Sequence, residues 1–108
     1  MIHYRVQYSA EALDDLRSIY QYIANERKAP QAAKGQVDRI RRLIRSLSLS
    51  PTRFAVVEWE PWASMEMRKV PVNNYLVFYL VENANSTVTV VRIFYGGRNV
   101  EEIIQEDI

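Results

Sequence analysis

The chain has 108 residues, no cysteine and a single histidine, so it is sized for one domain without disulfides or thiolate chemistry, and a transition-metal site is not expected. Apolar residues make up 48% and charged residues 25%, the proportions of an ordinary folded domain, and no run is apolar enough to span a bilayer. The formal net charge of +1 hides an uneven spread: Arg27, Lys28, Lys34, Arg39, Arg41, Arg42, Arg45 and Arg53 share their span with one acid, Asp38, whereas the tail carries Glu101, Glu102, Glu106 and Asp107.

The amino-terminal segment MIHYRVQYS lacks the apolar core of a signal peptide, so a cytoplasmic location is expected. Residues 3–8, HYRVQY, alternate in type and predict a short strand. Ser9 follows as a helix cap, and Glu11 suits the positive end of the helix dipole. Leu13, Leu16, Ile19, Tyr20 and Ile23 then recur at helical spacing, which predicts an amphipathic helix over 10–27. Pro30 fits the first turn of a second helix, with Ala33, Val37, Ile40, Ile44 and Leu47 as its apolar stripe. Arg39, Arg41, Arg42 and Arg45 lie beside or opposite that stripe. They form either a solvated face or a basic field for an acidic partner or nucleic acid. The short link between the two helices makes an antiparallel hairpin.

Residues 48–64 lose the helical period, and Pro51 and Pro61 punctuate them. Phe54, Trp59 and Trp62 make this loop unusually aromatic, as a partner-binding surface or as a lid closing one end of the core. From Met65 the period changes to two. Residues 65–72 predict a strand with Pro71 at its end or on a sheet edge. Asn73-Asn74 makes a tight turn, and 75–81 is apolar on both faces, as a central strand should be. A turn at 83–86 leads into the strand TVTVVRIFY, and residues 98–107 can form a short terminal helix. Two successive helices between the first strand and a three-strand meander point to an α+β fold. Both helices would cover one face of an antiparallel sheet and leave the other partly open to a ligand or partner.

Gly96-Gly97 raises the question of a phosphate loop, but the spacing fits neither a P-loop nor a dinucleotide fingerprint. The pair reads as a flexible strand exit that lets Arg98 leave the sheet. The serines have no histidine partner beyond His3, and Glu58 and Glu60 share one loop, so nucleophilic and paired-carboxylate chemistry are unsupported. No cofactor is implied. The remaining candidates are a basic-aromatic set, Arg68, Lys69, Arg92, Tyr95 and Arg98, able to hold a phosphate and stabilise developing negative charge. Strict alternation places Arg92 on the side of Val90 and Phe94, with Tyr95 on the other. The alternative for Arg92, and for Arg98, is a structural ion pair, with Glu66 or Glu82 as the partner.

The ordered set Tyr4-x-Val6-x-Tyr8-Ser9, Ala12-x-x-Asp15-Leu16-x-x-Ile19-x-x-Tyr22-Ile23, Pro30-x-x-Ala33, Ile40-x-x-x-Ile44-x-x-Leu47, Pro51, Arg68-x-x-Pro71-Val72-x-Asn74-Tyr75-x-Val77-Phe78-Tyr79 and Val90-Val91-Arg92-Ile93-x-Tyr95-Gly96-Gly97-Arg98 resembles the RelE/ParE superfamily of bacterial toxins. The resemblance covers residues 3–104. It implies the β-α-α-β-β-β fold and a growth-arresting, plasmid-stabilisation-type toxin. A co-expressed antitoxin would restrain it in a toxin–antitoxin hetero-oligomer, with no membrane involved. RelE-like members cleave mRNA on the ribosome with basic residues on the sheet, an arginine after the hairpin-strand tyrosine and a late aromatic or histidine. Those last two positions here are Leu76 and Ile104, while Lys69 and Arg98 match basic positions. ParE-like members bind DNA gyrase and need no catalytic set, so the resemblance leans that way. RNA cleavage through Arg68, Lys69, Arg92, Tyr95 and Arg98 is the second reading, and a non-toxic interaction domain the third.

Overall fold

A computed structural model describes residues 2–106 of the chain. Strand β1 (Arg5–Tyr8) hands over to helix α1 (Ala10–Gln21) at Ser9. The Ser9 hydroxyl oxygen accepts from the Ala12 N–H at 3.0 Å and donates to the Val91 carbonyl at 2.7 Å. One side chain thus caps the helix and fixes its entry angle to the sheet. The buried stripe of α1 is Ala12, Leu16 and Ile19; Leu13 and Tyr20, expected inside, stand 37% and 41% exposed. The stripe follows i, i+4, i+7 from the small Ala12, which lets the helix approach the sheet closely.

The helix predicted to run to residue 27 changes character first. Tyr22–Glu26 form a π-helical turn in which the Arg27 N–H reaches back to the Tyr22 carbonyl. Helix α2 (Pro30–Ser46) opens on its proline and buries Ala33, Gln36, Ile40 and Ile44, with Leu47 just beyond. Arg53 leaves the basic field altogether. Its guanidinium donates to the carbonyls of Ser46, Leu49 and Ser50 and to the Ser46 hydroxyl, closing the negative end of α2.

Strands β2 (Arg68–Val72), β3 (Tyr75–Glu82) and β4 (Thr87–Tyr95) form the meander, and the sheet order is β1-β4-β3-β2. Strand β2 starts three residues later than predicted, because Glu66 adopts a left-handed conformation (φ 58°) that no continuing strand allows. Pro71 lies in β2, an outer strand, as a proline requires. Asn73 takes φ 53° in the tight turn to β3. The sheet is not wholly antiparallel as expected: β1 runs parallel to β4, in register from Arg5–Thr87 to Tyr8–Val90. Hairpin turns fix the directions of β2, β3 and β4, whereas β1 pairs with a strand about 80 positions away. Its direction follows from where α1 must pack.

The expected alternation along β4 also fails. Val90 pairs with Tyr79 and Arg92 with Phe78, so Val91 is an extra residue, a β-bulge. The bulge puts Val88 and Val90 in the core under the helices and Phe94 in a second core on the far side.

The helix-side core joins Ala12, Leu16, Ile19, Ile40, Ile44 and Leu47 to Val70, Val77, Tyr79, Val88, Val90 and Ile93. The far face is less open than the sequence implied. Val57, Trp62 and Met67 from the loop, and Val100 and Ile104 from helix α3 (Val100–Glu106), cover Phe78 and Phe94. Trp62 stacks on Trp59 with centroids 5.0 Å apart and lies 4.8 Å from Phe78, so the aromatic loop closes a core. The terminal helix was expected to reach Asp107, which lies outside the described residues. Among the described residues, no helix is long and apolar enough to cross a membrane.

Tyr79 ties both layers to the loop: its buried hydroxyl donates to the Pro51 carbonyl at 2.7 Å. Burial pushes its pKa up to about 12, against the opposing pull of Arg68 and Arg53. The raised value means that the folded state holds this proton when the unfolded chain has released it. Stability from this group is therefore complete below pH 10 and falls as pH rises towards 12, by about 2 kcal/mol. Urea unfolding at pH 9 and near pH 12 should show this slope, and Tyr79→Phe should flatten it. An equal slope in the variant would exclude Tyr79 as its source.

Candidate functional site

The five candidate residues separate into three places. Arg68 is spent on structure: its guanidinium donates to the Phe54 carbonyl at 2.6 Å and the Thr52 carbonyl at 3.1 Å, pinning the loop to the sheet edge. Lys69 is exposed on β2 and pairs with Phe78, which pairs in turn with Arg92. These three therefore share one row on the far face.

Arg92 forms the structural pair that the sequence allowed, but with a different partner. Its Nε donates to Asp15 of α1 at 2.8 Å and its second nitrogen at 3.1 Å, rather than to Glu66 or Glu82. The Ile93 N–H donates to the same carboxylate at 2.8 Å. β1 has already left β4 at this level to become α1, so Asp15 supplies the acceptor that a neighbouring strand would have supplied. Arg92 also lies over the Phe94 ring at 4.3 Å.

Tyr95 and Arg98 come together at the end of β4. Along β3, Arg68 is aligned with Tyr79 and Tyr95 with Tyr75, four residues apart, or roughly 13 Å. The five side chains therefore do not converge on one phosphate. Neither glycine of the Gly96-Gly97 pair takes a positive φ. Their lack of a Cβ permits close approach instead. A Cβ on Gly96 would meet the Asn74 carbonyl at 3.1 Å, and one on Gly97 would meet the Tyr95 ring at 2.5 Å. The Gly96 N–H is already given to Asn74 and that of Arg98 to Tyr95, so these two donors are not presented to an anion.

The two positions that the family resemblance lines up with the RelE-like arginine and late aromatic are Leu76 and Ile104. Both lie in the far-side apolar cluster with Phe78, Phe94 and Trp62. The far face at this point is thus a packed hydrocarbon surface, with no polar group from either position.

A larger concavity than the hairpin groove lined by Leu13 and Tyr20 lies elsewhere, between the helical hairpin and the Tyr75–Tyr95 end of the sheet. It has a volume of about 830 Å³. Tyr22, Arg27, Gln36 and Arg39 come from the hairpin, and Asn74, Tyr75, Tyr95 and Arg98 from the strand ends. Tyr75 and Tyr95 meet edge to face at 5.8 Å. Burial raises the Tyr75 pKa, and its neighbours Tyr22 and Tyr95 add to the shift while Arg27 opposes it.

Residues 6–100 match the family model of the ParE toxin of the type II toxin–antitoxin system parDE. The chain belongs to this family. Solved structures agree on the fold of this ParE-family toxin. A chain from the chromosomal ParDE toxin–antitoxin system of P. aeruginosa superposes with TM-score 0.66 at 18% identity, covering 86% of this chain and 96% of that one. The archaeal RelE–RelB complex from Pyrococcus horikoshii gives 0.63 at 18% identity, with 90% and 99% covered. The E. coli toxin RelE, as a double arginine-to-alanine mutant in the free state, gives 0.63 at 15% identity, with 97% and 94% covered. No curated protein sequence matches the chain. For the ParE-family toxin, sequence reasoning missed the hairpin's share of the groove. One signal was legible: Gln36 interrupts the stripe between Ala33 and Ile40, where burial forces an amide to find partners.

Proposed function

We propose that this toxin arrests growth by binding DNA gyrase and does not cut RNA. The supporting observation is the apolar cluster that occupies Leu76 and Ile104 on the far face. Activating a 2′-hydroxyl and stabilising a phosphorane require proton-transfer and cationic groups there. Lys69 is present in that region, but Arg92 is held by Asp15 and Arg68 by loop carbonyls. A binding toxin needs none of these. Arg98, exposed at the end of β4 with its guanidinium 5.7 Å from the Phe94 ring centre, is the cation best presented to a large target.

A co-expressed antitoxin is the second partner in this reading. The exposed Leu13 and Tyr20 flank a groove of about 270 Å³ on the helical hairpin, a surface that an amphipathic antitoxin segment can cover. The far face, largely capped by Trp62 and α3, has less room for one.

The test is a supercoiling assay with purified gyrase, run beside transcript mapping in induced cells. Inhibited supercoiling, a DNA-damage response and intact transcripts are expected. Arg98→Ala should weaken inhibition about tenfold, as for an interface anchor. Cleaved transcripts at the ribosomal A site with unaffected gyrase would replace this reading with the RNase. A stable Arg98→Ala protein of full toxicity would remove Arg98 from the contact.

A further inference from the structure

The groove between the hairpin and the strand ends shares Arg98 with the proposed gyrase contact, but most of its lining plays no part in that reading. Gln36 is 8% exposed, and its amide is half satisfied. The Oε1 oxygen accepts from the Asn73 amide at 3.1 Å and from Arg39 at 3.3 Å, while the buried Nε2 has no partner among the described residues. Buried donors are rarely left in this state, and Gln36 is among the residues lining the groove, with its Nε2 itself enclosed. Arg27 and Arg39 line it too, both exposed. The one carboxylate on the wall among the described residues, Asp15, has both oxygens engaged by Arg92, and one of them also by the Ile93 N–H. The lining thus offers donors in excess. A peptide would bring backbone N–H groups of its own, which need acceptors; a phosphate brings acceptors only.

The remaining wall is aromatic. Tyr22, Tyr75 and Tyr95 stand together, with Tyr22 and Tyr95 about half exposed. Gly97 lets the Tyr95 ring lie back against the chain, since a Cβ there would strike it. Flat rings beside a cationic funnel are the arrangement that holds nucleobases without reading their edges. The volume of about 830 Å³ lies within the usual range for a small-molecule site.

We infer that this groove binds a nucleotide unit, its phosphate against Arg27 and Arg39 with the Gln36 side chain beneath them, its base against Tyr22, Tyr75 and Tyr95. The unit is either a free nucleotide or one residue of a single strand, since the chemistry is common to both. This inference goes beyond gyrase inhibition and does not depend on it.

The test is direct binding by the purified protein, with no gyrase present. The probes are AMP, inorganic phosphate and a fluorescent deca-thymidylate, at several salt concentrations. AMP or the oligonucleotide should bind more tightly than phosphate, and affinity should fall as salt rises. Binding of AMP alone would assign a free nucleotide; preference for the oligonucleotide would assign a strand. Gln36→Glu keeps the acceptor for Asn73 and Arg39 but replaces the free donor with an oxygen, and should weaken binding at least about tenfold. Tyr22→Ala and Tyr95→Ala, both at exposed positions, should each weaken it by about five- to a hundredfold through lost stacking. Arg42→Gln lies on the same basic helix outside the groove and is the control. Three results would overturn the proposal. They are no binding of any probe into the millimolar range, a loss in Arg42→Gln equal to that in Gln36→Glu, or displacement of the oligonucleotide by polyglutamate as readily as by AMP. Circular dichroism of each variant separates lost binding from lost fold.

Discussion

Replacing Asp15 by alanine is expected to destabilise the protein by about 3 kcal/mol. The carboxylate performs three tasks at once. It accepts two hydrogen bonds from Arg92 and one from the Ile93 N–H, at 2.8 to 3.1 Å. Its side chain is only 15% exposed and that of Arg92 26%, so water does not readily replace the lost partner. An exposed pair such as Arg17–Asp14, at 68% and 73%, should by contrast contribute well under about 1 kcal/mol. Asp15→Asn retains an acceptor for the strand N–H and should cost roughly half as much as the alanine. Urea unfolding of Asp15→Ala, Arg92→Met and the double variant would measure the pair directly. A coupling energy of about 2 kcal/mol is expected, and additive costs would show that the pair is incidental.

Trp62→Ala is expected to have the largest effect of any single truncation on the far side, about 3–5 kcal/mol. Trp62 is 6% exposed and lies between Trp59 and Phe78. It bridges a loop without regular structure to the sheet, and its cluster includes Val100 and Ile104 of α3. Removing it should therefore loosen α3 as well as the loop. Hydrogen exchange should speed up in both segments while α1 and α2 stay protected. Trp59→Ala, at a partly exposed position, should cost less. If the two variants proved equal and α3 were unchanged, the far-side core would not be a cooperative unit.

The two predictions probe features of unequal legibility. The helical hairpin could be read locally: Ser9 caps, Pro30 opens, and the 3.6-residue period survives in Leu16, Ile19, Ala33, Ile40 and Ile44. The meander could be read the same way, because Asn73 and the turn at 83–86 set the directions of the strands beside them. Family membership also followed from ordered residues along the chain, and the match over residues 6–100 agrees with it. The basic residues could be seen but not sorted. Arg53, Arg68 and Arg92 carry the same charge as Arg27, Arg39 and Arg98, yet the first three are bound to carbonyls or a carboxylate of their own fold.

What the sequence determined by itself is everything governed by near neighbours: the period of each element, its caps, its turns and the class of fold they can build. What the tertiary structure decided is everything that depends on residues far apart. The parallel pairing of β1, the shift of Phe94 to the far side by the Val91 bulge, the Asp15 partner of Arg92 and the half-satisfied amide of Gln36 are all of this kind. The physical reason is that periodicity reports which side of an element is apolar. Partners and desolvation are properties of positions in space, and the chain acquires these only when hairpin and sheet close on each other.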